Sequence, residues 1–416
     1  MDDTGRANMP VDHGGRPALT DTLDPVMHTF TSRALAAPAV IAAAVIAAVP
    51  GAAASAAPHA AAARQPAPIG GARLGAHGIV YNAASGVKKP PKVNASSYVI
   101  ADADTGQVLA AKDPHGRYRP ASTMKILTAI TLIPRLDADK KIRPSWKACN
   151  TEGSRVGLVP KMKYSISDLF RGLLMVSGND AAVALSQQMP GGLPKTLRLM
   201  NAQARRLQGY DTVAKTPNGL DRKGQHTSAY DLALFGRHGL GDERFRDYIG
   251  KVSYRFPAPR TKKQKKKHKP GGYMIYNHDR LLTQYKGGIG VKNGYTTKAK
   301  GTFVGAAKRN GHTILITLMH SKPDFWTDAK HMLSWGFAAR GKVRPVGSLV
   351  GPKASATPSA TSAGATPAAH TRTGAGGSGG PFSGVTTPVI SVGVAVLVLC
   401  GAAGYALSRR RRRWFG

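Results

Sequence analysis

Residues 301–320 read GTFVGAAKRNGHTILITLMH. Two runs of alternating β-branched and apolar residues flank Asn310-Gly311, the dipeptide that most strongly signals a tight two-residue hairpin. Just upstream, Gly288 to Thr297, GIGVKNGYTT, has the same alternating character and supplies a third strand. The three together predict an antiparallel meander. Downstream, 328–339 (DAKHMLSWGFAA) has helical periodicity.

Working back towards the N-terminus, Ser96–Asp113 reads as another hairpin, with Asp104-Thr105-Gly106 as its turn. Between the two β regions the pattern turns helical. Residues 121–133 (ASTMKILTAITLI) are apolar nearly all round, as in a buried helix. Residues 165–189 read as two helices, the first capped at Ser167-Asp168 and the second separated from it by Ser177-Gly178-Asn179. Further helices are expected over 193–208 and 227–240. The order hairpin, helices, meander, helix predicts an α+β fold. Its antiparallel sheet carries the first and last helices, with an all-helical insert between the two β regions.

Composition places this body within a longer chain of 416 residues. Segments rich in Ala, Gly, Pro, Ser and Thr flank it and have little to bury. The expected division is an N-terminal extension with signal peptide (1–56), a linker (57–94), the globular domain (95–342), a flexible tether (343–387), a transmembrane helix (388–407) and a basic cytoplasmic tail (408–416). In the first of these, Arg33 precedes the apolar run 34–49, and Ala54-Ser55-Ala56 gives an A-x-A cleavage pattern. Met27 is the expected initiator. The uncharged run Pro388–Leu407 is long enough for a bilayer core of ~30 Å. Arg409–Arg413 after it are expected in the cytoplasm. Both ends therefore predict an extracellular domain leashed to the membrane and facing the wall.

The formal net charge of +37 favours polyanions as partners. The tract Arg260–Lys269 (RTKKQKKKHK), between prolines and without an apolar face, reads as an exposed loop. With no interleaved aromatic residue and an external compartment, anionic wall polymer or lipid is the expected contact of Lys262–Lys269, and nucleic acid is not. The two cysteines, Cys149 and Cys400, give neither a disulfide framework nor a zinc-ligand spacing. No cofactor or metal is expected.

Chemistry enters at Ser122 and Lys125. Pro120 suits a helix start, which places Ser122 in the first turn and Lys125 one turn on, on the same face. A capping serine beside a solvated lysine would explain the spacing, but not a lysine set in an otherwise apolar helix, where an unused charge is costly. A neutral lysine there can take the serine's proton. A second S-x-x-K, Ser85–Lys88, runs into KKPPK, where no helix forms. Two partner motifs follow: Ser177-Gly178-Asn179 between helices, and Lys292-Asn293-Gly294 on a strand. A strand beside the nucleophile can pair with an extended peptide. Lys286-Gly287-Gly288 also fits the last pattern but lies in a glycine-rich loop.

PASTMK, SGND and GVKNGYT, in that order, resemble the S-x-x-K, S-x-N and K-T-G motifs of penicillin-recognising serine enzymes. With DADTGQVLAAKD and TPNGLDRKGQHTSAYDLA, the span Ser96–Ala339 is similar to the D-alanyl-D-alanine carboxypeptidases, the low-molecular-mass penicillin-binding proteins. The resemblance implies a β-lactamase/transpeptidase-like fold without a second β domain. It implies an acyl-forming nucleophile in Ser122 and a base in Lys125. Ser177 would relay a proton, Asn179 would hold the substrate amide, and Lys292 would attract the terminal carboxylate. Backbone N–H groups of Ser122 and Tyr295 would form the oxyanion hole. Peptidoglycan stem peptides are the implied substrates and β-lactams the implied covalent inhibitors. Asn293 departs from the family's usual threonine, although its amide can also donate. D,D-endopeptidase action on crosslinks and a catalytically weak wall-peptide-binding protein are the alternatives. A class A β-lactamase needs a deacylating Glu, and neither Glu152 nor Glu243 lies in a matching motif.

Overall fold

The computed structural model describes residues 67–353. The sheet is built from β1 (Ile79–Tyr81), β2 (Ala95–Asp102), β3 (Gln107–Lys112), β8 (Gly288–Thr296), β9 (Lys300–Arg309), β10 (His312–Ser321) and β11 (Gly347–Ser348). Strands β4 (Lys141–Ile142) with β5 (Tyr164–Ser165), and β6 (Ser253–Phe256) with β7 (Tyr273–Tyr276), form two small ribbons apart from it. The helices are α1 (Met124–Leu132), α2 (Trp146–Cys149), α3 (Ile166–Met175), α4 (Asn179–Ser186), α5 (Gly192–Arg206), α6 (Ala229–Leu240), α7 (Glu243–Gly250), α8 (Lys262–Lys266), α9 (Leu281–Gln284) and α10 (Trp326–Ala339).

The seven-stranded sheet runs β1-β3-β2-β10-β9-β8, with β11 also paired to β3, and every pairing is antiparallel. The β8-β9-β10 meander is the one its sequence predicts. Asn310 and Gly311 both take positive φ (48° and 80°), the requirement of a type I′ turn. Side-chain alternation then sorts the two faces. Val99, Ala101, Val304 and Leu315 enter the core on the side of the helical insert. Tyr98, Ile100, Phe303 and Ile316 enter the core beneath α10. There Phe303 meets Trp326 edge-on, with ring centroids 5.2 Å apart. Each such buried side chain contributes roughly 1.5–3 kcal/mol.

The helix on the other face is α6, not the first helix. It packs against β2 and β10, whereas α1 lies among α3, α4, α5 and α6. Both segments are apolar enough to bury, and only the tertiary arrangement separates them. The cap of α3 is also shifted from expectation. Ser165, not Ser167, accepts from the Asp168 N–H at 3.0 Å, and Asp168 returns the bond in a capping box.

The ordered body extends beyond the expected 95–342 on both sides. Leu74 is buried in the core, β1 pairs with β3, and Trp335 Nε1 donates to the Lys88 carbonyl at 2.7 Å. At the other end β11 pairs with β3, and Tyr230 Oη donates to the Ser348 carbonyl at 2.8 Å. The expected signal peptide, most of the tether, and the spans 388–407 and 408–416 lie outside the described residues. Among the described residues no helix is long and apolar enough to cross a membrane.

Candidate functional site

The chain enters the site as Arg119-Pro120, then forms a single 3₁₀ turn, Ala121–Thr123, that runs into α1. Thr302 Oγ1 on β9 donates to the Pro120 carbonyl at 2.9 Å and pins the turn to the sheet. Ala121, just before Ser122, has φ 45°. A non-glycine residue in this region carries strain of order 1–3 kcal/mol and is held there only by its surroundings. One of those is the loop after Asn218. Gly219 (φ 86°) lies so close to the Ala121 carbonyl that a Cβ would collide with it. Every residue of α1 is buried, including Lys125 at 0 % exposure.

Three atoms surround the Lys125 amine. Nζ lies 2.9 Å from Ser122 Oγ, 2.7 Å from Asn179 Oδ1 and 2.7 Å from the Asn218 carbonyl oxygen. The Asn179 amide is oriented unambiguously, because its Nδ2 donates to the Glu152 carbonyl at 2.7 Å. Two neighbours of Nζ are therefore pure acceptors, and the third is a hydroxyl. A neutral amine has two N–H donors and one lone pair. In the neutral form, with both donors spent on Asn179 and Asn218, the lone pair would face Ser122 Oγ. Burial, and then the charge of Lys292, hold the Lys125 pKa well below the ordinary ammonium range, against an opposing pull from Asp180.

Ser177 and Asn179 come from the junction of α3 and α4. Ser177 is buried in the left-handed region (φ 61°), and α4 starts at Asn179. Both ends of the Asn179 side chain are engaged by protein groups. Its Oδ1 accepts from Lys125 Nζ and its Nδ2 donates to the Glu152 carbonyl. Among the described residues, no hydrogen bond links Ser177 Oγ to Ser122 or Lys125.

Lys292 lies on β8 beside this group, 1 % exposed. Its Nζ donates to the Asn293 carbonyl (2.7 Å) and towards Asn293 Oδ1 (3.3 Å). Burial lowers its pKa to about 7, with Asp279 opposing. Burial raises Asp279 to about 7 as well, against the Leu281 N–H and Lys292. Gly294 is where β8 crosses the nucleophile turn: a Cβ there would sit 2.5 Å from Ser122 N and 2.7 Å from Thr302 Oγ1. Tyr295 follows, half exposed at the mouth of the site.

Two hollows flank the end of β8. One of about 500 Å³ is lined by Glu152, Gly153, Leu220, Asp221 and Tyr295–Lys298. The other, about 370 Å³, includes Asn293, Gly294 and Tyr295 in its wall. A larger cavity of about 750 Å³, lined by Ile130, Arg135, Gln203, Arg206 and His238 among others, contains none of the motif residues.

The three sequence motifs therefore converge. Two further residues share in the site without having been singled out in the sequence. Asn218 acts through its carbonyl, which no side-chain pattern reveals. Asp180 sits under the site and accepts the N–H groups of Val156, Gly157 and Leu158 at 3.0, 2.8 and 3.0 Å. Its signal was the acidic residue that directly follows Asn179.

Residues 84–322 match the family described as D-alanyl-D-alanine carboxypeptidase. The chain belongs to this D-alanyl-D-alanine carboxypeptidase family. Among curated members, the D-alanyl-D-alanine carboxypeptidase DacB2 of Mycobacterium tuberculosis is 36 % identical over 266 residues, covering 62 % of this chain and 87 % of the relative. DacF of Bacillus subtilis is 32 % identical over 235 residues, 55 % of this chain and 58 % of its own length. The crystal structure of a D-alanyl-D-alanine carboxypeptidase from Mycobacterium tuberculosis superposes with a TM-score of 0.59 at 36 % identity, covering 65 % of this chain and 99 % of that one. A Streptomyces DD-transpeptidase superposes at 0.56 with 26 % identity, covering 60 % of this chain and 100 % of that one. The carboxypeptidase family thus accounts for the α+β architecture and for the motif-bearing region from Ser122 to Tyr295.

Proposed function

We propose that this family member removes the terminal D-alanine of peptidoglycan stem peptides through an acyl-enzyme on Ser122. The observation that carries this reading is the buried Lys125 amine, with Nζ 2.9 Å from Ser122 Oγ and the acceptors Asn179 Oδ1 and the Asn218 carbonyl on its other sides. Ser122 Oγ adds to the carbonyl carbon of the penultimate D-alanine as its proton passes to Lys125 Nζ. The negative charge that develops on the carbonyl oxygen is received by the N–H groups of Ser122 and Tyr295. Donors of this kind contribute on the order of 10²–10³ in rate. The C–N bond then breaks, and D-alanine leaves with a proton relayed through Ser177. Water attacks the ester and gives its proton to the base, restoring Ser122. β-lactams stop at the ester.

The test is incubation of the full chain with a pentapeptide ending in D-Ala-D-Ala. Release of one D-alanine per peptide supports the reading. Cleavage of crosslinked dimers without release from the pentapeptide supports a D,D-endopeptidase instead, and covalent β-lactam labelling without any turnover supports a binding protein.

The reading includes an external, membrane-leashed location, supported by the apolar runs 34–49 and 388–407 and by Arg409–Arg413. Deleting 388–416 should move the protein from the membrane fraction to the medium; retention in the membrane fraction contradicts the anchor.

The basic tract forms the tip of the β6–β7 hairpin. It contains one short helix, α8, rather than an irregular loop throughout. A capping box between Thr261 and Gln264 starts this helix, and none of its residues is buried. Its lysines, with exposed Tyr273 at the same end of the ribbon, suit an anionic wall polymer or lipid surface. Replacing Lys262, Lys263 and Lys265–Lys267 by Gln should weaken co-sedimentation with cell walls or anionic vesicles, and unchanged binding to both rejects the contact.

A further inference from the structure

The cavity of about 750 Å³ has no part in the chemistry proposed for Ser122. It lies at the other end of α1. Ser122 precedes the first turn of that helix, whereas Ile130, Ile133 and Arg135, at and beyond its last turn, line the cavity. At ~1.5 Å per residue, the nine residues of α1 hold the cavity and the nucleophile roughly 13 Å apart along the helix.

The lining has two parts. Ile130, Ile133 and Phe245 are buried and give an apolar floor. Arg135, Arg206 and His238 bring basic groups from the ends of three helical segments. Basic residues suit helix C-termini, and Arg135 Nη1 does donate to the Thr131 carbonyl at 2.5 Å. Arg206 is instead held by side chains: Nε donates to Gln203 Oε1 at 3.2 Å and Nη2 to His238 Nε2 at 3.3 Å. A guanidinium only donates, so His238 Nε2 is the unprotonated nitrogen and the ring is neutral. Burial, and then the Arg206 charge, lower the His238 pKa in agreement, with Asp242 opposing.

The two guanidinium charges are left uncompensated. Neither Arg135 nor Arg206 has a carboxylate partner among the described residues. Asp242 also lines the cavity, but its Oδ1 accepts the Arg244 and Phe245 N–H groups as the cap of α7, and its Oδ2 lies 3.7 Å from Arg244 Nη2. Two arginines above an apolar floor favour an anion joined to an apolar body, and the planar fork of arginine matches a phosphate.

Position selects the source of that phosphate. Lys353, the last described residue, donates its backbone N–H to the Arg206 carbonyl at 2.8 Å. Gln208 Nε2 donates to the Gly351 carbonyl at 2.9 Å. The chain therefore leaves the body beside the cavity. From there to the apolar run 388–407, the stretch 354–387 has a random-coil span of about 30 Å. A bilayer on so short a leash presents its headgroups to the cavity at high effective concentration.

We propose that the cavity binds the phosphate of an anionic phospholipid headgroup, with Arg135 and Arg206 on the phosphate and Ile130, Ile133 and Phe245 against the apolar part beside it. Docked in this way, α1 has its C-terminal end at the bilayer and its Ser122 end turned towards the wall. This assignment rests on the membrane-leashed reading above.

The test places the full chain in phosphatidylcholine nanodiscs doped with a phosphatidylglycerol that carries a diazirine beside its headgroup, and maps the photoadducts by mass spectrometry. Adducts should fall on 130–135 and 241–245, and excess unlabelled phosphatidylglycerol, but not phosphatidylcholine, should displace them. Replacing Arg135 and Arg206 together by Gln should reduce these adducts about tenfold, and replacing both by Lys should keep part of them. Both variants should show the wild-type far-ultraviolet circular dichroism; the competition on the wild type decides if they do not fold. Adducts confined to α8 or to 388–407, or undiminished in the Gln variant, overturn the proposal while the leash stands. Displacement by inorganic phosphate but not by unlabelled phosphatidylglycerol assigns the cavity to free phosphate and overturns the lipid source. A full chain that does not associate with the nanodiscs at all overturns the leash and this proposal with it.

Discussion

Lys125 Nζ lies 2.9 Å from Ser122 Oγ, and that hydroxyl is the one neighbour of the amine able to give a proton as well as accept one. The 0 % exposure of Lys125 disfavours the ammonium, and the acceptors Asn179 and Asn218 fix where its two N–H groups go. In the proposed mechanism a lysine, ordinarily a poor base at neutral pH because it is already protonated, is thereby kept ready to deprotonate the serine.

The pH dependence follows from the direction of that shift. An ammonium cannot accept the Ser122 proton, so acylation by a β-lactam should rise as pH increases through the depressed Lys125 pKa. Asn179→Asp should move this limb to higher pH, because a carboxylate beside Nζ favours the charged form. Stopped-flow acylation rates across pH measure both. An unmoved limb in the variant would show that another group sets it.

Asn179→Ala should remove one of the two acceptors that aim the amine, along with the link to the Glu152 carbonyl. A loss of about 10²-fold or more in acylation is expected, as for general-base catalysis deprived of its geometry. The far-ultraviolet circular dichroism of the variant should match wild type. Wild-type acylation would mean that Asn218 alone suffices.

Gly294→Ala should stop the reaction for a steric reason. The added methyl meets Ser122 N at 2.5 Å and Thr302 Oγ1 at 2.7 Å, so β8 or the nucleophile turn must move. A shift of this kind near the reacting atoms costs on the order of 10² in rate, and the crowding costs roughly 1–3 kcal/mol of stability. Acylation kinetics and thermal unfolding of the variant test this. Normal acylation would mean that the strand can retreat without consequence.

Asp231 gives a stability prediction away from the site. Its Oδ2 accepts from Thr212 Oγ1 at 2.6 Å, its Oδ1 has no partner, and burial raises its pKa to about 7. The native state therefore holds a proton that the unfolded chain gives up from about pH 4. That contribution to stability is fully present at acidic pH and is lost as pH rises towards about 7. Asp231→Asn should gain in Tm relative to wild type as pH rises over this window. Asp279 titrates with the same sign, so the difference between variant and wild type is the quantity that isolates Asp231. A pH-independent difference contradicts the assignment.

What could be read from the chain, and what could not, divides along physical lines. Asn310-Gly311 demanded its turn because few residues tolerate two successive positive φ values, and Ser122 and Lys125 were visible because their spacing matches one helical turn. Asn218 contributes a backbone carbonyl and so leaves no mark in residue type. The left-handed Ala121 is imposed by Gly219 and β9, which are distant in sequence. Ser165 and Ser167 are equally good caps by composition, and the position of Asp168 three residues beyond Ser165 decides between them. β1 lies in a stretch whose composition suggests a linker, and it becomes a strand only because β3 offers an open edge. Of the departures, Asn293 lies nearest the nucleophile turn, beside Gly294 in the wall of the hollow at the end of β8.

The central claim is that Ser122 forms the acyl-enzyme and Lys125 deprotonates it. The most direct measurement is peptide mapping by mass spectrometry after the full chain is treated with a β-lactam, for the wild type, Ser122→Ala and Lys125→Ala. The account predicts a single adduct on Ser122 in the wild type and none in either variant, with both variants retaining the wild-type fold. An adduct that persists in Ser122→Ala, or that forms at the wild-type rate in Lys125→Ala, would contradict it.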